Sequence, residues 1–195
     1  MTQTSPTSTM ATLGPRANPD TRPDVNLTLH CSDKSNSPPE IFKHRFYELC
    51  HEFKNYYSKF TDGSKEGNRV AAAVVHRDNT KCVRLPDTAS IFRAELYALL
   101  LAIDVVRRSK EKNFVIFSDS MSSLQSIYGF NLDSDLVQKF LNDYIILAKN
   151  GKTLFSVGSQ VMWESSVMKK QIQLQSRHSL YLSLHPCLFL RKVKL

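Results

Sequence analysis

Between residues 55 and 158 the apolar positions follow two rhythms, short strand-length runs and longer stripes of helical period. "NYYSKFTDGSK" is aromatic-rich and closes on Asp-Gly, which predicts a strand running into a turn. "NRVAAAVVHRDNTKCVRLP" predicts two strands joined by "RDNT", an antiparallel hairpin. "SIFRAELYALLLAIDVVRR" is a run of good helix formers, with Arg107 and Arg108 suited to the negative end of a helix. "KNFVIFSD" predicts a buried strand with a polar exit. "SMSSLQSIYGF" then gives a short helix stopped at Gly129. "SDLVQKFLNDYIILAKNG" gives an amphipathic helix with Leu136, Phe140 and Tyr144 on one face, and "KTLFSV" opens a fifth strand. The order β-β-β-α-β-α-α-β predicts an α/β layer fold, a five-stranded mixed sheet with an antiparallel hairpin, parallel strands and flanking helices.

The rhythm fails on both sides of this stretch. Residues 1–40 hold six of the eight prolines and few large apolar side chains, too little to offset ordering entropy. Residues 1–52 are therefore expected to be disordered or linker, with a short helix in "PEIFKHRFYELCHEFKNYY", where Phe42, Phe46, Leu49 and Phe53 recur at helical steps. Residues 53–158 form the expected domain, incomplete at its C-terminal end, and residues 159–195 are an aperiodic tail expected to be disordered.

Composition changes this picture little. The formal charge of +8 suggests a nucleic-acid partner, but residues 159–195 carry six Lys and Arg against Glu164, which leaves only +3 for the rest. Cys31, Cys50, Cys82 and Cys187 show no finger or ribbon spacing, so they are expected to be isolated reduced thiols and not zinc ligands. "MTQTSPTSTM" lacks the basic and apolar regions of a secretory signal, and "LYLSLHPCLFL" is too short to span a bilayer. An intracellular protein, in cytoplasm or nucleus and off the membrane, is the expectation.

Three carboxylates stand where a carboxylate does not help folding. Asp62 closes the first strand, where an Asp-Gly turn is the plain alternative. Asp119 closes the central strand, where a helix N-cap is the alternative. Glu95 shares its helical stripe with Leu99, Ala102 and Val106, while Arg93 and Asp104 lie roughly 160–180° away around the helix. A solvated stripe edge is the alternative for Glu95; burial would cost several kcal/mol without a positive partner. Two strand ends and one helix turn can bring the three acids to a common pocket. Such a pocket suits hard divalent cations, Mg²⁺ most naturally. Two ions about 4 Å apart can activate water and stabilise a leaving oxygen in phosphodiester hydrolysis.

"YSKFTDGSK", "VAAAVV", "SIFRAELYALLLAI" and "NFVIFSDSMSSLQSI" together resemble type 1 ribonuclease H domains, especially those of non-LTR retrotransposons, over about residues 55–157. The resemblance implies a ribonuclease H-like fold and a catalytic metal triad of Asp62, Glu95 and Asp119. It implies two Mg²⁺ ions, with Mn²⁺ able to substitute, and cleavage of the RNA strand of an RNA–DNA hybrid to a 3′-hydroxyl and a 5′-phosphate. A reverse transcriptase region of the same element is the implied protein partner. Ala71 stands where many relatives have glycine.

The family also carries Trp-Val-Pro-Ser-His-Val-Gly-x-x-Gly-Asn-Glu-x-Ala-Asp after the fifth strand, with an assisting His and a fourth acidic ligand opening a last helix. His178 and His185 lie in no such context. The missing segment is legible in another frame. Taking the third base of one codon with the first two of the next, Val157 to Met162 permit Trp-Val-Pro-Ser-His. Met162-Trp163 forces valine, Trp163-Glu164 forces glycine, and Met168-Lys169 forces glutamate. Pairs from Ser166 to Met168 permit Gly-Asn, and pairs from Lys170 to Ile172 permit Ala-Asp. A frameshift near codons 153–156, or the equivalent error in a gene model, is the expectation, with the last helix missing or non-native, one sheet face left bare and activity reduced. A non-catalytic hybrid-binding module, an inactive retrotransposon remnant, and another nuclease or integrase on the same fold are the alternatives.

Overall fold

The computed structural model describes residues 22–27, 39–76 and 79–158. They form one mixed sheet with helices on both faces. In chain order the elements are β1 (Asp24–Asn26), α1 (Pro39–Glu52), β2 (Tyr57–Glu66), β3 (Arg69–His76), β4 (Asn79–Leu85), α2 (Ile91–Arg108), β5 (Asn113–Ser118), α3 (Met121–Tyr128), α4 (Asp135–Lys149) and β6 (Thr153–Gly158). The strand order is β1-β6-β5-β2-β3-β4. Strands β2, β3 and β4 run antiparallel, whereas β2, β5, β6 and β1 are parallel to their neighbours.

Six strands replace the expected five. The added strand, β1, comes from the Pro-rich segment expected to lack structure, and it pairs with the edge of β6. Three residues are enough to extend a ladder but too few to show a period of two. The helices follow the sequence pattern closely. Ser90 accepts a hydrogen bond from the Arg93 N–H at 3.1 Å and caps α2, and Ser134 does the same for α4 through Val137. Gly151, at φ +70°, follows the end of α4 in the left-handed region that glycine adopts without strain.

Alternation along the strands splits the core in two. Phe114 and Ile116 of β5, with Leu154 of β6 and Val70, Ala72 and Val74 of β3, meet α2, α3 and α4 in the larger cluster. Val115 and Phe117, with Phe155, Val157, Phe60 and Val75, point the other way. There they meet Phe46, Leu49 and Phe53, on and just after α1, in an aromatic-rich layer. Phe46 lies edge-on to Phe117, with centroids 5.7 Å apart. The second face of the sheet is thus packed against the N-terminal helix. The expected loss of a native last helix falls on residues 159–195, outside the described residues.

Cys82, on the outer strand β4, is disulfide-bonded, against the expectation of reduced thiols, and its partner is outside the described residues. Cys50 is a free thiol whose pKa burial pushes up to about 11. No helix among the described residues is long and apolar enough to cross a membrane.

Candidate metal centre

Sheet register brings two of the acids together. The last parallel pair between β2 and β5 is Thr61 with Ser118. Asp62 and Asp119 are the next residues on two neighbouring chains, which the ladder holds about 4.8 Å apart. β5 ends there, while β2 continues, pairing Asp62 with Ala73 and Gly63 with Ala72 on β3. Asp62-Gly63 is thus mid-strand, and the hairpin turn falls at Gly67, with φ +57°.

The third acid arrives from above. Glu95 lies near the start of α2, which packs across β2 and β3. It is 7% exposed, so the solvated-edge alternative is not what the chain adopts. Asp62 is 2% exposed, and Asp119 is half-buried. Asp119 is not a helix cap either, because Ser120 holds the N-cap position of α3. Each residue offers a carboxylate oxygen, and these three oxygens lie within 4.8 Å of one another.

Three clustered carboxylates repel one another, and burial strengthens that repulsion. The arginines of α2 pair with other acids. Arg93 makes a two-pronged ion pair with Asp135, both contacts at 2.8 Å, and Arg107 and Arg108 turn to Asp104. An all-oxygen carboxylate donor set suits Mg²⁺ or Mn²⁺ and disfavours soft metals. A cavity of about 440 Å³ lies at the other end of α2, lined in part by Lys59, Lys81, Asp104 and Arg108, and contains none of the three acids.

The structure brings together all three acids singled out from the sequence. Two supporting features were not anticipated. Gly63 permits a very close approach of α2 to β2. A serine network follows Asp119: the Ser120 N–H donates to Ser118 Oγ at 3.2 Å, and Ser120 Oγ donates to the fully buried Ser123 Oγ at 2.8 Å. Four serines in six residues, 118 to 123, were legible, but they read equally well as caps.

A mixed sheet with an acidic cluster on its two central strands and the helix above them defines an α/β domain with a candidate cation site. The sequence model of the RNase H family matches residues 54–180, well over half of the chain. The chain belongs to the RNase H family. Among solved structures, the RNase H1 of the halophilic archaeon Halobacterium salinarum NRC-1 is similar over 60% of this chain and 90% of its own, at 16% identity and a TM-score of 0.41. A comparison with curated proteins gives no match.

Proposed function

We propose that Asp62, Glu95 and Asp119 hold divalent cations, Mg²⁺ foremost and Mn²⁺ in its place, and that the chain hydrolyses the RNA strand of RNA–DNA hybrids. The observation that carries this reading is the convergence of three carboxylate oxygens within 4.8 Å at the centre of the sheet. Bound there, the ions would supply charge neutralisation, an activated water and stabilisation of the leaving oxygen. The protein's share is positional. The β2–β5 ladder fixes Asp62 beside Asp119, and α2 fixes Glu95 over them, so the donor set needs little rearrangement to take up a cation. The products of this reading are a 3′-hydroxyl and a 5′-phosphate.

The translated chain works slowly in this reading, because the expected fourth acid and assisting histidine are absent from their family context. Codons 157–172 permit both in the shifted frame, and in this reading the domain spans residues 53–158 with an out-of-frame tail. In this reading, which the resemblance to retrotransposon domains supports, the protein acts beside a reverse transcriptase region of the same element, in cytoplasm or nucleus. The family match continues to residue 180, so an in-frame tail is the competing outcome. Sequencing the locus and transcript across codons 150–175 decides between them; intact codons with no frame spelling the motif sink the frameshift.

Activity is tested with end-labelled RNA–DNA, RNA–RNA and DNA–DNA duplexes in Mg²⁺. Slow cleavage confined to the RNA of the hybrid, lost in Asp62→Asn, is the expected result. Hybrid binding that survives EDTA with no cleavage in either metal would favour the non-catalytic alternative. Turnover equal to that of an intact relative would overturn the impairment.

A further inference from the structure

Gly63 is 0.8 Å too close to α2 for any other residue, since an ideal Cβ would stand 2.6 Å from Glu95 N, where ordinary contact begins at 3.4 Å. It would also stand 2.8 Å from the Ala94 carbonyl carbon and 2.9 Å from Glu95 Cδ. Two of these three atoms are backbone, so no change of rotamer relieves the contact. The third is the carboxyl carbon of a candidate ligand. The rest of the local interface is small as well: Ala72, the β3 partner of Gly63, and Ala94 are fully buried. The close approach is therefore centred on the residue that carries the third carboxylate.

Backbone conformation gives a weaker reason for the glycine. Gly63 is inside a strand and does not have the positive φ that marks Gly67 and Gly151. Glycine within a strand weakens it, and its presence here is explained by another backbone approaching closely. We infer that Gly63 is a positioning residue for the metal centre: the absence of its side chain seats the start of α2 on β2 and thereby sets Glu95 against Asp62. This inference rests on the cation-site reading of the triad and adds to it a residue that touches neither metal nor substrate.

The consequence is a coupling between packing and metal affinity at one position. A methyl group at residue 63 pushes the Glu95 backbone and carboxyl outward together, widening the donor set. Loss of the supports that orient metal ligands costs roughly 10–100-fold in affinity, and Gly63→Ala is expected in that range. A change that merely loosens the same helix should leave affinity intact. Ile103, 1% exposed and two turns further along α2, supplies that comparison as Ile103→Ala.

The test is Mn²⁺ titration of the full chain, followed by the electron paramagnetic resonance signal of the free ion, with fold monitored by circular dichroism. Wild type should bind Mn²⁺, and Asp119→Asn should not. Gly63→Ala should bind at least about tenfold more weakly, and Ile103→Ala should bind like wild type. In a Glu95→Gln background, Gly63→Ala should cause no further loss, because its effect runs through Glu95. If Gly63→Ala is unfolded, the series is repeated in trimethylamine N-oxide, which favours the compact state. Absence of Mn²⁺ binding by wild type sinks the cation site and this inference with it. Wild-type affinity in Gly63→Ala, an equal loss in Ile103→Ala, or a full additional loss in the Glu95→Gln background overturns the positioning role and leaves the site reading intact.

Discussion

Helix α2 carries two acids nine residues apart, and they live in opposite surroundings. Asp104, near the C-terminal end, is met by Lys81 at 2.7 Å, Arg107 at 2.6 Å and Arg108 at 3.1 Å. Glu95, near the N-terminal end, is met by two further carboxylates. Asp104 is half-buried and its pKa falls from 3.8 to about 2, with the Lys81 hydrogen bond the largest cause. An acid surrounded by the chain's own cations is explained by folding. An acid packed among acids is the arrangement that the proposed cation site would use.

The largest effect that separates these two acids is on cleavage. In the full chain, Asp62→Asn, Glu95→Gln and Asp119→Asn should each reduce Mg²⁺-dependent hybrid cleavage by more than the roughly 10–100-fold that outer-shell partners cost. Asp104→Asn should leave the rate within about twofold once both proteins are fully folded. Rates on a labelled hybrid at saturating Mg²⁺ check this. A large loss in Asp104→Asn with unchanged stability would break the contrast between the two ends of α2.

Stability should respond in the reverse order. Asp104→Asn leaves Lys81, Arg107 and Arg108 without their common partner, at an expected cost of about 1 kcal/mol at pH 7, kept small because the three cations are 42–73% exposed. The sign of the pH dependence follows from the lowered pKa. The contribution is fully present above the unfolded value near 3.8 and is lost as pH falls through about 2. Urea denaturation at pH 7, 4 and 2.5 should show wild type and Asp104→Asn separated at the first and converging at the last. A gap that widens on acidification would reverse the assignment.

Much of this was legible in the sequence, and the exceptions have physical causes. Helices α2 and α4 announce themselves because long stripes, serine caps and a glycine stop agree. Glu95 stood out because it shares its stripe with the apolar Leu99, Ala102 and Val106, all of which are fully buried in the fold. The true turn was missed because Asp-Gly at 62–63 is the stronger turn signal, yet the strand runs on to Gly67. β1 was missed because three residues carry no period. The role of α1 as the second face's cover depends on contacts between residues 46–53 and strands up to a hundred positions away, which no local pattern encodes. The close approach at Gly63 exists only once β2 and α2 are packed.

Metal should discriminate the two acids through stability as well as through rate. A cation that binds the folded state alone adds about 1.4 kcal/mol at ten times its Kd. Wild type and Asp104→Asn should therefore both melt higher in Mg²⁺ than in EDTA, by equal amounts. Glu95→Gln should gain little from Mg²⁺, and in EDTA it should melt at or above wild type, because a like charge has left a buried cluster. Thermal melts of the three proteins in the two buffers check this. A Glu95→Gln protein that is less stable than wild type in EDTA would show that Glu95 serves the fold as Asp104 does.

The smallest effect is expected at a third acid, which sharpens the contrast by serving neither purpose strongly. Asp135 opens α4 and pairs with Arg93 of α2 through two hydrogen bonds, and that pairing lowers its pKa. The geometry is better than that of any single contact to Asp104, yet both partners are exposed to water, at 49% and 65%. Exposed pairs are screened, and ordering two side chains offsets most of their attraction. Arg93→Gln should shift the melting temperature less than Asp104→Asn does, and 1 M NaCl should remove what shift there is. A shift larger than that of Asp104→Asn, persisting in salt, would show that bidentate geometry outranks burial in deciding which acids of this domain hold the fold together.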